Sequence, residues 1–263
     1  RAYRCAIERM PGYVDAWFNL GNLQRSERRL DDALVAYEQV VKLQPKHHQA
    51  LSLLSDVHRE LGDLVRAERL ARAALAAKPD FAEALGHLGN ALNDLERFDE
   101  AAACYERALR LPDCPTETHY NKGVALQRAR HVPEAVACYR RILEVRPQEV
   151  PAHYNLATAL LTLGEFGEGF REYEWRLAKP DLRPRTYPQP VWNGEPLNGK
   201  RVLLYWEQGY GDTLQFLRFV PLVAARGGRV ILELQAGLKD VASRIPGVEA
   251  VVDAGETLPA FDV

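Results

Sequence analysis

The chain has 263 residues, 47% of them hydrophobic and 27% charged, with a formal net charge of −2. That content suffices for buried cores in one or two domains. The near-neutral balance gives no reason to expect nucleic acid or an anionic membrane as partner, and no apolar run approaches the length of a membrane span. Cys5, Cys104, Cys114 and Cys138 form no C-x-x-C pair and no metal-ligand spacing, so they read as reduced structural thiols in a cytoplasmic protein, with no metal site.

From the first residue to about position 179 the chain repeats itself every 34 residues. Trp17, Leu51, Leu85, His119 and His153 fall in one column, and Gly21, Ser55, Gly89, Gly123 and Ala157 in a second. Ala33, Ala67, Ala101, Ala135 and Gly169 make a third, and Tyr37, Ala71, Tyr105, Tyr139 and Tyr173 a fourth. Pro45, Pro79 and Pro147 close their units, since proline removes a helix donor and restricts the residue before it. Tyr3, Ala6 and Pro11 keep the same register, so residues 1–13 are part of a repeat. Full units lie near 14–47, 48–81, 82–115, 116–149 and 150–179. Each predicts two helices that approach closely at the small residues and bury their apolar faces on the next unit.

The period and the W…LG…Y…A…P pattern resemble the tetratricopeptide repeat (TPR). The resemblance implies a mainly α-helical solenoid over 1–179, with the first helix of each unit lining a concave face. The sixth position of that helix holds Asn19, Leu53, His87, Asn121 and Asn155, and Asn22 and Asn90 lie one turn further. A carboxamide both donates and accepts. Asn19, Asn22, His87, Asn90, Asn121 and Asn155 are therefore candidate contacts for a protein or peptide; that Asn merely tolerates solvent there is the alternative. Repeats of this type also self-associate, so a homo-oligomer is a further partner class. His47-His48 falls in a turn without further ligands nearby in sequence, and His119 and His153 stand at the Trp17 position as packing residues.

The pattern weakens after Gly164, and Phe170, Tyr173 and Trp175 follow on a last helix that covers the end of the solenoid or docks what comes next. Pro180, Pro184, Pro188, Pro190 and Pro196 make 180–199 an extended connector. From 200 to 263 the chain reads as alternating strands and helices. Strands are expected at 201–206, 229–234 and 248–252, helices at 213–226 and 238–245, and a further strand beginning at Phe261-Asp262-Val263. This order predicts a parallel sheet with right-handed crossovers. Both ends of the chain fall inside elements, which reads as an excerpt of a longer protein whose α/β domain is incomplete.

Glu207-Gln208-Gly209-Tyr210-Gly211-Asp212 follows the first of these strands, where open α/β sheets meet their ligands. Residues 173–176 (YEWR), 192–200 (WNGEPLNGK) and 207–218 (EQGYGDTLQFLR) resemble the bacterial TPR glycosyltransferases related to heptosyltransferases. That resemblance implies the GT-B architecture of two facing Rossmann-like domains, of which this chain holds part of the first. It implies Asp212 as the base that takes a proton from an acceptor hydroxyl, with Gln208, Gly209 and Gly211 orienting the acceptor. It implies no cofactor, only a nucleotide-sugar donor held mainly by the missing domain. The residues leave a second role open, since Asp212-Thr213-Leu214-Gln215 is also a capping box. A dinucleotide site is disfavoured, because Leu214 replaces the third glycine of G-x-G-x-x-G. The expected function is sugar transfer to a protein or glycan recruited by the repeats; the alternative is a non-catalytic interaction scaffold.

Overall fold

The computed structural model describes residues 2–178 and 185–263, in two compact units, Arg1–Arg183 and Pro184–Val263. The first unit opens with α1 (Ala2–Arg9) and continues as antiparallel helix pairs. These are α2 (Val14–Ser26) with α3 (Leu30–Leu43), α4 (His48–Glu60) with α5 (Leu64–Ala77), and α6 (Ala82–Asp94) with α7 (Phe98–Leu109). They are followed by α8 (Glu117–Arg128) with α9 (Val132–Val145), and α10 (Val150–Leu163) with α11 (Phe166–Tyr173). A 3₁₀ turn, Glu174–Ala178, follows α11.

The repeat columns explain the pairing. A Cβ on Gly21, Gly89 or Gly123 would lie 2.7, 2.6 or 2.7 Å from the ring of Tyr37, Tyr105 or Tyr139. Each tyrosine is at most 2% exposed, so its ring lies against bare backbone. The second repeat solves the same contact differently. Ala71 stands where the others have tyrosine, which leaves room for Ser55, whose hydroxyl donates to the Ala67 carbonyl at 2.7 Å. In the fifth repeat Ala157 carries a Cβ, and Tyr173 is only half-buried, set against Tyr154 with ring centroids 5.7 Å apart.

Every turn inside a repeat is built the same way. Arg28, Gly62, Glu96, Arg130 and Gly164 all have positive φ, between 60° and 86°. The next residue's N–H returns to the carbonyl five positions back, as in Arg29 to Gln24 at 2.9 Å and His131 to Leu126 at 2.8 Å. This Schellman closure satisfies carbonyls that the helix end leaves open. Helices α4 and α6, α6 and α8, and α8 and α10 touch one another, so the first helices of successive pairs form the inner face of the solenoid.

Trp17 and His153 perform the same bond in their repeats. Trp17 Nε1 donates to the Pro11 carbonyl at 2.9 Å, and His153 Nε2 lies 2.9 Å from the Pro147 carbonyl. His153 also stacks on Trp175 at 3.9 Å with a 2° interplanar angle and holds Glu172 through Nδ1 at 2.5 Å. Trp175, just after α11, thus folds back over α10, while Phe170 within α11 stays exposed. His47 caps α4 by accepting from the Ala50 N–H at 3.2 Å and packs on Phe18.

The second unit has β1 (Arg201–Tyr205), α12 (Tyr210–Leu217), α13 (Val220–Ala224), β2 (Arg229–Leu234), α14 (Lys239–Ala242) and β3 (Val248–Asp253). The strands form a parallel sheet in the order β1-β2-β3, with a register shift between Val230 and Ile231. One face packs Val202, Val230, Leu232 and Leu234 against Leu217 and Val220. Of the expected connector, 180–184 lies outside the described residues, and 185–200 contains no helix or strand.

Three expectations are corrected here. The helix expected at 213–226 begins at Tyr210 and breaks after Leu217. Pro221 sits four residues beyond Leu217 and its ring excludes continuous helix there. The helix expected at 238–245 spans only Lys239–Ala242, because Pro246 pushes the residue before it away from helical backbone. Residues 261–263 form no assigned strand, yet Leu203 N–H donates to Val263 O at 2.9 Å and Asp262 N–H to Arg201 O at 2.9 Å. Those bonds run along the edge of β1 opposite β2, in parallel sense.

Candidate functional site

Two regions carry the residues singled out by sequence. On the inner face of the solenoid, the repeat tyrosines orient the carboxamides. Tyr37 Oη donates to Asn22 Oδ1 at 2.7 Å and Tyr105 Oη to Asn90 Oδ1 at 2.6 Å. Tyr139 Oη donates to Gln127 Oε1 at 2.8 Å, and Gln127 Nε2 reaches Thr158 Oγ1 at 3.1 Å. Burial pushes the Tyr37 phenol up to about 12 and holds that of Tyr105 higher still. Each hydroxyl therefore remains a donor, and each amide oxygen is committed toward the core.

Asn121 joins the third repeat through Nδ2 to Asn90 Oδ1 at 3.3 Å, and Asn155 Nδ2 donates to Tyr120 Oη at 3.0 Å. His87 Nδ1 lies 2.9 Å from the Ser52 carbonyl and 3.0 Å from its hydroxyl. A carbonyl only accepts, so the proton sits on Nδ1. Asn19 is exposed and apart. The expected ladder is thus not continuous: Asn90 and Asn121 are brought together, and Leu53 and Asp56 separate them from Asn19 and Asn22.

Where Ala71 replaces the tyrosine, the groove holds charge. Asp56 occupies the column of Asn22 and Asn90, and it pairs with Arg25 and with Arg59 at 3.1 Å. Arg59 also reaches Asp94 at 3.2 Å. Burial alone would raise the Asp56 carboxyl, but His87, Arg25 and Arg59 hold it below the usual carboxylate range. Sequence reading passed over Arg25, Asp56 and Arg59. The signal was present, since Arg25, Arg59, Asn93 and Gln127 share one 34-residue column.

The second region is the loop after β1. Gly209 enters α12 with extended backbone at φ −72° and ψ 170°, and no side chain caps the helix. Asp212 is the third helical residue and is exposed. The capping-box reading is therefore corrected: Gly209, not Asp212, occupies the cap. Gln235, 7% exposed, fastens the loop from below, donating through Nε2 to Gln208 O at 2.9 Å and accepting from Thr213 Oγ1 at 2.9 Å. Tyr210 Oη adds a bond to Ala236 O at 3.2 Å. Gln208, Gly209, Gly211 and Asp212 thus share one pinned turn at the carboxyl end of β1. Sequence reading missed Glu233, hidden in an apolar strand and 5% exposed; it pairs with Arg185, whose guanidinium lies over Tyr205 and Trp206.

A helix-pair solenoid with a polar inner face defines a repeat protein of the interaction-scaffold class. A family model described as "Tetratricopeptide repeat" matches residues 1–41, 18–80 and 120–180, and a second of the same description matches 82–111. The chain belongs to the tetratricopeptide-repeat family. Protein FlbA of Caulobacter vibrioides is 27% identical over 240 residues, covering 89% of this chain and 40% of FlbA. Protein O-mannosyl-transferase Tmtc3 of Drosophila melanogaster is 30% identical over 121 residues, covering 46% of this chain and 13% of Tmtc3. The chain thus spans well under half of either relative. Among solved structures, YrrB, described as a TPR protein with an unusual peptide-binding site, shares 22% identity at TM-score 0.57 over 69% of this chain and 94% of its own. PilW, a type IV pilus biogenesis factor, shares 26% identity at TM-score 0.57 over 63% and 78% respectively. The helical-repeat fold is shared with these proteins.

Proposed function

We propose that the chain is a protein-interaction scaffold that holds a polypeptide partner on the inner face formed by α2, α4, α6, α8 and α10. The observation that carries this reading is the set of carboxamides on that face whose oxygens are taken up by buried tyrosines, which turns their N–H groups toward the groove. The peptide-binding site named for YrrB adds support. A cytoplasmic setting belongs to the same proposal, in keeping with Cys104 and Cys138 packed as free thiols whose pKa is raised by burial. Binding of end-blocked peptides to the 263-residue chain, read by fluorescence anisotropy, tests it. Affinity should fall when Asn22 and Asn90 are both replaced by alanine, and binding that ignores the inner face would remove the reading.

A second reading has its own observation. The pinned loop 207–212 follows a strand with parallel neighbours on both sides, β2 and the 261–263 segment, and ligands of open α/β sheets meet the protein at such switch points. On this reading the longer protein transfers a sugar from a nucleotide donor, Asp212 takes the acceptor's proton, and Gln208, Gly209 and Gly211 orient the acceptor. The transferase named in Tmtc3 supports it weakly, since the match covers 13% of that protein. Asp212→Asn in the longer protein should keep its melting temperature and lower sugar transfer at least about tenfold. Unchanged turnover would dismiss Asp212.

A further inference from the structure

The outer helix α11 leaves one face bare. Phe166 and Phe170 are 60% and 55% exposed and lie against each other with ring centroids 6.3 Å apart. They stand in the repeat columns of Val132 and Val136, which are 8% and 6% exposed because the helix that follows, α10, covers them. Gly167 and Arg171 form the next row of the same face, since residues four apart are neighbours on a helix. Both are exposed.

Two observations say what covers this face. The chain's own packing does not require glycine at position 167, where a Cβ would lie in open space, although glycine inside a helix is less favourable than alanine. Bare backbone on an exposed face suits the close approach of another helix. The sequence there is also self-complementary. Glu165-Phe166-Gly167-Glu168-Gly169-Phe170-Arg171 carries Gly and then Phe on both sides of Glu168, with opposite charges at its two ends. A second α11 laid antiparallel and centred on Glu168 therefore sets Phe166 against Phe170 and Glu165 against Arg171, in both directions at once. Glu168 meets its own copy with its charge already held by Arg140 at 2.8 Å. An isologous contact about a two-fold axis demands this self-complementarity of a patch.

We propose that α11 is a homodimer interface, on which a second copy of this chain packs its own α11 antiparallel across Phe166, Gly167, Phe170 and Arg171. Because α11 is an outer helix, the contact leaves the inner face free and stands independently of the readings above.

Sedimentation velocity of the 263-residue chain over a concentration series tests the interface. A monomer–dimer equilibrium is expected, and replacing both Phe166→Ser and Phe170→Ser should weaken it at least about thirtyfold. Gly167→Ala separates a role in the fold from a role in the contact: it should raise the melting temperature of the dilute monomer, yet weaken the dimer about tenfold. Chains with Arg171→Glu and chains with Glu165→Arg should each dimerise about tenfold more weakly, because like charges then meet. Mixed one to one, they should recover the affinity of the natural chain as a heterodimer. A chain that stays monomeric throughout the series, polymers that lengthen with concentration, or a dimer indifferent to the phenylalanines and to the charge exchange overturns the proposal.

Discussion

Arg28, Glu96 and Arg130 hold left-handed backbone that Gly62 and Gly164 adopt without strain. A side chain in that region costs about 1–2 kcal/mol. Glu96→Gly should accordingly raise unfolding stability by about 1 kcal/mol, and Gly62→Ala should lower it by a similar amount, both read from urea melts. The glycines of the second column work in the opposite direction. Helix propensity favours Ala over Gly by about 1 kcal/mol, but a Cβ on Gly89 would stand 2.6 Å from the rigid Tyr105 ring. Overpacking of that kind costs about 1–3 kcal/mol. Gly89→Ala is expected to destabilise the protein, with a double-mutant cycle against Tyr105→Ala showing coupling of about 1 kcal/mol or more. The Gly–Tyr columns were legible in sequence; the positive-φ column was hidden because three of its five members are charged residues.

Among the elements, the inner helices divide into carboxamide and charged stretches according to what the outer helix supplies. Asp56 shows this in its pH dependence. Its folded-state pKa is lowered, so its contribution is fully present above the ordinary carboxylate range near pH 4 and is lost as pH falls through the lower, folded value. Asp56→Asn should cost about 1–3 kcal/mol at pH 7, and it should flatten the acid limb of the stability curve measured by denaturant melts between pH 2 and pH 5. The helix pairs were legible in the sequence, because the 34-residue spacing fixes their register. That spacing could not show that Asn90 and Asn121 meet while Asn19 stands alone, since that depends on Leu53 and Asp56 intervening in space. In the second unit, strands were readable from their apolar runs. The start of α12 was not, because Gly209 and Gly211 look like loop and Asp212 looks like a cap.

For the molecule as a whole, stability should be uneven along the solenoid. The largest apolar cluster runs from Ala71 to Leu160, whereas α1 has no buried residue. Hydrogen exchange should find the slowest amides in α7 to α9 and the fastest helical ones in α1, as expected where each repeat is supported by its neighbours. The second repeat also limits how freely the units can be interchanged. Ser55 and Ala71 form a matched key and slot unlike the Gly–Tyr pairs of Gly21, Gly89 and Gly123. Transplanting α3 or α7 in place of α5 would bring a tyrosine ring onto Ser55, while transplanting both helices of a unit together would keep the match. In the language of modular assembly, the exchangeable part of this protein is the whole helix pair, and a recombination point inside a pair breaks what one between pairs preserves.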